Sequence, residues 1–273
     1  CPPMPPGPLI LYCVLVVVAS LIGGLLPGWM RLGHTRMQVM VSFVAGLMLG
    51  VALFHMLVHA AHHTHTLDTA VLWTVIGLLT MFFLIRTLDF HHHEPVHDPE
   101  EHEGHAHPIA PQSPLSWAGV AVGFALHTTI DGIALGASVR AESGHGDGIP
   151  GLGTFLAVLL HKPLDALAVV ALMAAGGWSK RSRLLVNVGL AALCPLGALL
   201  FWWGAGAGSS VFVGSALAFS AGVFLCVSLA DLLPELQFHS HDRLKLSVAL
   251  LLGVALAYCL VFLEGDMHHG HAH

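Results

Sequence analysis

The chain has 273 residues, of which 55% are hydrophobic and only 10% charged, with a formal net charge of −6 and a mean hydropathy of +0.77. Soluble domains carry roughly a quarter charged residues, so a surface this apolar must face lipid rather than water. A soluble enzyme or binding domain is thereby excluded, and no nucleic-acid partner is expected.

Crossing the hydrocarbon layer takes about 20 apolar residues as a helix. Eight such stretches are predicted, near 9–29, 38–60, 69–88, 116–139, 151–176, 184–204, 209–236 and 244–263. Gly and Pro interrupt several of them, which membrane helices tolerate when neighbours re-satisfy the backbone. Alternating segments of about ten residues, the mark of a β-barrel, do not occur. The expected fold is an all-α integral membrane protein with eight transmembrane helices, a single domain over 1–273. Residues 1–8 read as a short leader. Cys13, Cys194, Cys226 and Cys259 fall inside spans without a C-x-x-C pair, and small buried core thiols account for them.

In chain order, the first span is followed by Arg31 and Arg36. The second carries Met48, His55 and His59, and His62, His63 and His65 follow it. Arg86 ends the third span. Residues 89–115 then form the one long polar connection, with His91, His92, His93, His97, His102, His105 and His107 among acids and prolines. That composition cannot build a core and predicts a disordered loop; its His density suits a loose metal buffer or sensor. The fourth span holds His127 and Asp131, and the fifth holds His161, Lys162, Pro163 and Asp165. Lys180, Arg181 and Arg183 follow the fifth, and the seventh ends in Asp231-Leu-Leu-Pro234-Glu235 before Arg243 and Lys245. His268, His269, His271 and His273 close the chain.

The basic residues orient the spans. Of ten Lys and Arg, all except Arg140 and the intramembrane Lys162 fall on one side of an eight-span arrangement. Positive residues favour the cytoplasm, so both termini are expected outside and the 89–115 loop inside.

Residues 43–59, FVAGLMLGVALFHMLVH, resemble residues 219–235, FSAGVFLCVSLADLLPE. At one constant offset Phe43 meets Phe219, Ala45 meets Ala221, Gly46 meets Gly222 and three leucines coincide. His55 and His59 then fall on Asp231 and Glu235. The two segments are the second and seventh spans, which cross in opposite directions. An inverted repeat of spans 1–3 and 6–8 around central spans 4 and 5 follows, a 3+2+3 arrangement whose substrate site lies near the midplane.

The central spans hold the buried polar residues. His127 and Asp131 are four apart and share a helix face, as do His161 and Asp165. A carboxylate inside the membrane is costly unless paired or bound to metal. One explanation covers all four: a His2Asp2 site for a borderline divalent ion such as Zn²⁺, with Fe²⁺, Mn²⁺ or Cd²⁺ also suited. Without thiolates such a site binds loosely enough to release its ion, which is then a substrate; no permanent cofactor is expected. Lys162 offers a fixed cation that neutralises these carboxylates and blocks a second metal. Pro163 cannot donate to Leu159, which frees that carbonyl. Gly132 and Gly136 make a stripe for close helix packing.

These features resemble the ZIP (Zrt/Irt-like) family of metal-ion transporters, in a bacterial-type form. The family's fourth-span pattern, H-x-x-x-D-G, is His127-Thr128-Thr129-Ile130-Asp131-Gly132, and its fifth-span pattern, H-E/K-x-x-E, is His161-Lys162-Pro163-Leu164-Asp165. The H-x-x-P-E pattern is plainest at Asp231–Glu235. Lys162 stands where binuclear members have an acid and Thr128 where they have Asn, so a single-metal site is expected. Val58 replaces the usual Pro and His59 the usual Glu. Met48 matches a position that supplies a thioether in some bacterial members, although core packing is the better account of it here. The resemblance implies a transporter rather than an enzyme, uptake toward the cytoplasm, an elevator-like movement and a bacterial inner membrane. His55, His59, Asp231 and Glu235 would line the path. Divalent ions and the bilayer are the expected partners, and a homodimer is compatible with the sequence. A membrane-embedded zinc hydrolase, a cation-diffusion exporter and a flux-less sensor are the competing readings of the same residues.

Overall fold

The computed structural model describes residues 6–25, 34–87, 114–143, 149–205, 210–238 and 243–263. His91, His92, His93, His97, His102, His105 and His107, and the four C-terminal histidines, lie outside the described residues. The elements are α1 (Gly7–Leu25), α2 (His34–Val51), a π-helical turn (Ala52–Met56), α3 (Leu57–Thr64), α4 (Leu67–Thr87), α5 (Pro114–Glu142), α6 (Leu152–Ala175), α7 (Lys180–Ala205), α8 (Ser210–Phe238) and α9 (Arg243–Leu263). Among the described residues no strand occurs, and eight helices are long and apolar enough to cross a membrane.

The second span is one rod built from α2, the π-helical turn and α3, because Val51 and Leu57 keep right-handed helical dihedrals at both junctions. It runs on to Thr64, four residues past the expected end, since Ala60, Ala61, His62 and His63 contain no helix breaker. His59, His62 and His63 therefore stand on helix. The rod stops at His65, whose φ of 60° is left-handed. The Thr66 hydroxyl then accepts the Thr69 N–H at 3.4 Å and opens α4.

Apolar side chains point two ways, as the bilayer requires. Leu11, Phe83, Leu185, Leu244 and Leu251 are exposed around the outside. Leu9, Leu47, Met48, Met56, Leu135, Val158 and Phe224 are fully buried between helices. Lipid tails are as apolar as leucine, so close packing rather than water exclusion must hold these helices together.

Glycines provide that packing, and they reproduce the internal repeat. A Cβ on Gly46 would meet the Leu250 carbonyl, and one on Gly222 would meet the Thr74 carbonyl. Likewise Gly77 faces the Phe219 carbonyl and Gly253 the Phe43 carbonyl. Applying the offset that carries Phe43 to Phe219 turns each contact into the other of its pair. The central spans are paired in the same manner: Gly23 of α1 faces the carbonyl of Pro163, and Gly197 of α7 that of Thr129. Thr129 and Pro163 each stand two residues after a histidine of the polar pairs.

The most extensive helix pairings are α2 with α9, α4 with α8 and α3 with α8 on one hand, and α5 with α7 and α1 with α6 on the other. Two groups result, α2–α4 with α8 and α9, and α1 with α5–α7. At Gly23, Gly46, Gly50, Gly77, Gly132, Gly136, Gly197, Gly214, Gly222 and Gly253 a Cβ would meet the backbone of another helix of the same group. Across the seam, side chains make the contacts, among them the Phe224 ring edge-on to His161 with centroids 5.9 Å apart.

Candidate metal centre

α5 and α6 bring the two polar pairs together. His127 and Asp131 lie one turn apart on α5, His161 and Asp165 one turn apart on α6, and all except Asp165 are buried. Each residue offers one ligand atom, and the four atoms lie within 4.8 Å of one another. His127 Nε2 is 3.5 Å from Oδ2 of both Asp131 and Asp165. His161 Nε2 is 3.4 Å from Asp131 Oδ2 and 3.8 Å from Asp165 Oδ2. Ligands about 2.0–2.1 Å from a tetrahedral ion stand about 3.4 Å apart from each other. The four nitrogen-to-oxygen separations, 3.4–3.8 Å, lie near that value, and all four atoms are within 4.8 Å of one another.

Local folding aims the rings. His161 Nδ1 lies 2.8 Å from the Ala157 carbonyl. A carbonyl only accepts, so Nδ1 carries the proton and the Nε2 lone pair is turned into the site. Two buried polar atoms here, His127 Nδ1 and Asp131 Oδ1, have no hydrogen-bond partner. Neither is one of the converging ligand atoms, His127 Nε2 and Asp131 Oδ2.

Lys162 reaches the same oxygens. Its ammonium contacts Asp131 Oδ2 and lies 2.9 Å from Asp165 Oδ2 and 3.2 Å from Thr128 Oγ1. The side chains of Lys162 and Asp131 are 3% and 0% exposed, against 23% for Asp165. Two carboxylates and one ammonium leave a net charge of about −1 for a divalent cation to meet.

The remaining sequence candidates separate. Met48 packs in the fully buried core. His55 lies in the π-helical turn, and its Nε2 donates to the Ala257 carbonyl at 2.7 Å, which ties it to α9. His59 faces Glu142 at 3.9 Å. Asp231, Pro234 and Glu235 fall in the C-terminal part of α8, with side chains outside the described residues. Glu142 and Thr154, both buried, were not legible as site residues. Glu142 sits at a helix end where an acid reads as solvated, although it shares a helical face with Asp131 and Ser138.

A bundle of eight lipid-facing helices around a buried His2Asp2 cluster defines an integral membrane protein built to handle metal ions. Known proteins resolve the class further. The family model described as ZIP zinc transporter matches residues 87–261. "Zinc transporter ZIP9-B" of Xenopus laevis is 25% identical over 279 residues, covering 85% of this chain and 87% of the relative. "Zinc transporter ZIP9-A" of the same organism is 24% identical over 317 residues, covering 96% and 97%. Human "Zinc transporter ZIP5" is 33% identical over 177 residues, 63% of this chain and 32% of the relative. The chain belongs to the ZIP zinc transporter family, and it is a metal-ion transporter rather than an enzyme.

Proposed function

We propose that the chain carries Zn²⁺ toward the cytoplasm through one ion-binding site made by His127, Asp131, His161 and Asp165. The observation that carries the reading is the convergence of four ligand atoms, two from each of two adjacent helices, within 4.8 Å of one another. Fe²⁺, Mn²⁺ and Cd²⁺ suit the same mixed nitrogen and oxygen set. The relatives' printed names favour zinc.

Lys162 makes the site mononuclear. Its ammonium occupies the side of the two carboxylates where a second ion would need to bind, and a fixed cation there repels one. Asp165, partly exposed beside three buried partners, is the edge from which the ion comes and goes.

Movement of α1 and α5–α7 as one body against the other group exposes the site to each side in turn. Backbone-to-backbone glycine contacts within each group, and side-chain contacts at the seam, support this elevator-like motion. Arg86, Lys180, Arg181, Arg183, Arg243 and Lys245 mark the cytoplasmic side and Arg140 the outer one, which puts both termini outside.

Purified protein in liposomes, given radioactive Zn²⁺ outside, tests the reading. Wild type accumulates the ion, and His127→Ala and Asp165→Ala reduce the rate at least tenfold. Intact metal binding without flux in the wild type overturns transport; unchanged flux in both variants overturns the site.

A further inference from the structure

We propose that His59 and Glu142 form a second, transient divalent-cation station at the outer end of the bundle, upstream of the central site. It rests on the transport reading above, and it adds a site made by α3 and α5.

The pair is buried. His59 Nε2 and Glu142 Oε1 are 3.9 Å apart, an ion-pair distance too long for a hydrogen bond, and a closure of about 0.5 Å would bring them to the separation of two ligands on one metal. The carboxylate is held in place from its other sides. Gly151 N–H donates to Oε2 at 2.5 Å, and Ser138 Oγ donates to Oε1 at 2.9 Å. The Gly151 bond has a structural use, since it ties the end of α5 to the start of α6. The Ser138 bond fixes the other oxygen, which also faces a buried imidazole on a different helix.

The pair also stands at the head of a polar lane. On α5, Glu142, Ser138, Asp131 and His127 recur at intervals of four, seven and four residues, along one face. On α6, Thr154, His161 and Asp165 do the same, and Thr154 Oγ1 donates to Ser138 Oγ at 2.9 Å. Eleven residues of α-helix separate Glu142 from Asp131, a rise of about 16 Å. Between the two lie Ala134, Leu135, Ala157 and Val158, all fully buried and uncharged. A carboxylate and an imidazole at the top shorten the gap.

Exposure falls in the order a capture route needs. His62 and His65 are exposed, His63 is half-buried and bonded to the Ala141 carbonyl at 3.0 Å, and His59 and Glu142 are buried. Two protein ligands with water completing the shell hold an ion weakly, as a station on a route must.

The full chain in liposomes, assayed for initial rates with radioactive Zn²⁺ and Cd²⁺ over a range of outside concentrations, decides the matter. Glu142→Gln keeps an acceptor for the Gly151 N–H, so folding survives. His59→Ala and Glu142→Gln should each raise KM for Zn²⁺ about tenfold with kcat changed less than twofold. The double variant should be no worse than the poorer single one, because one ion joins the two residues. His59→Cys should recover Cd²⁺ uptake more than Zn²⁺ uptake, the softer ion preferring thiolate; a packing role would move both ions together. Additive effects, a loss confined to kcat, or no change in metal preference with His59→Cys each overturn the station. A wild type without flux overturns the transport reading instead, and the two failures are told apart by that control.

Discussion

Lys162→Met isolates the central site's fixed cation. The Lys162 ammonium lies 2.9 Å from Asp165 Oδ2 and in contact with Asp131 Oδ2. An ion bound to those oxygens at about 2.1 Å would stand about 4.4 Å from the ammonium. Repulsion between one and two unit charges at that distance is about 2 kcal/mol at a dielectric of about 80, and about 7.5 at an effective value of about 20. The lower figure alone corresponds to about thirtyfold in affinity. Methionine keeps much of the volume and removes the charge, so the variant should bind Zn²⁺ at least that much more tightly and release it more slowly. Competition against a chelator in detergent measures the affinity. Any metal held outside the four ligands is common to both proteins, so the difference reports on the site. Net uptake at saturating Zn²⁺ should fall while affinity rises. Unchanged or weakened binding would refute the reasoning and leave Lys162 a structural counter-ion only.

Other outcomes follow from the same contacts. Asp131→Asn removes the fully buried partner of the Lys162 ammonium, leaving it Asp165 and Thr128, and should destabilise the metal-free protein by about 1–3 kcal/mol, more than Asp165→Asn, whose side chain is partly exposed; metal-free thermal unfolding compares the two, and equal losses would contradict the burial difference. Gly46→Val and Gly222→Val should lower the unfolding temperature by similar amounts, each corresponding to about 1–3 kcal/mol, since they meet repeat-related carbonyls. Gly189→Ala, whose Cβ meets nothing within 4 Å, should leave that temperature unchanged or raised. His55→Ala removes the donor to the Ala257 carbonyl and should cost about 1–3 kcal/mol of stability with the KM for Zn²⁺ unaltered in liposome uptake, which separates an anchoring histidine from a ligand.

Much of this was legible because lipid narrows what a sequence can do. Apolar runs of about 20 residues have few alternatives to helix, and a carboxylate inside one requires a partner, so the four central residues stood out from spacing alone. Lys162 could be placed beside Asp131 and Asp165 because it follows His161 on the same span. The Gly46–Gly222 correspondence was visible as letters, but its partners were not: nothing in Thr74 or Leu250 announces that a carbonyl there lies under a glycine. Glu142 escaped notice for a similar reason. Its meaning depends on His59, more than eighty residues earlier, and only the tertiary approach of α3 to α5 brings them together. The end of the second span was misjudged because histidines count as polar in a hydropathy window although they continue a helix well.

Glycine's missing Cβ has a mechanical consequence. Where a carbonyl rests directly on a glycine, neither helix can slip by a fraction of a turn without collision. Each such contact acts as a dowel, locking translation along the helix and rotation about it. The glycine contacts described above join helices within each group, so the proposed movement would shear along the boundary between the groups, where α3 and α5 face each other. His59 and Glu142 sit on opposite sides of that boundary. An ion gripped by both would act as a clutch, engaging the two bodies while it waits and freeing them once it moves on.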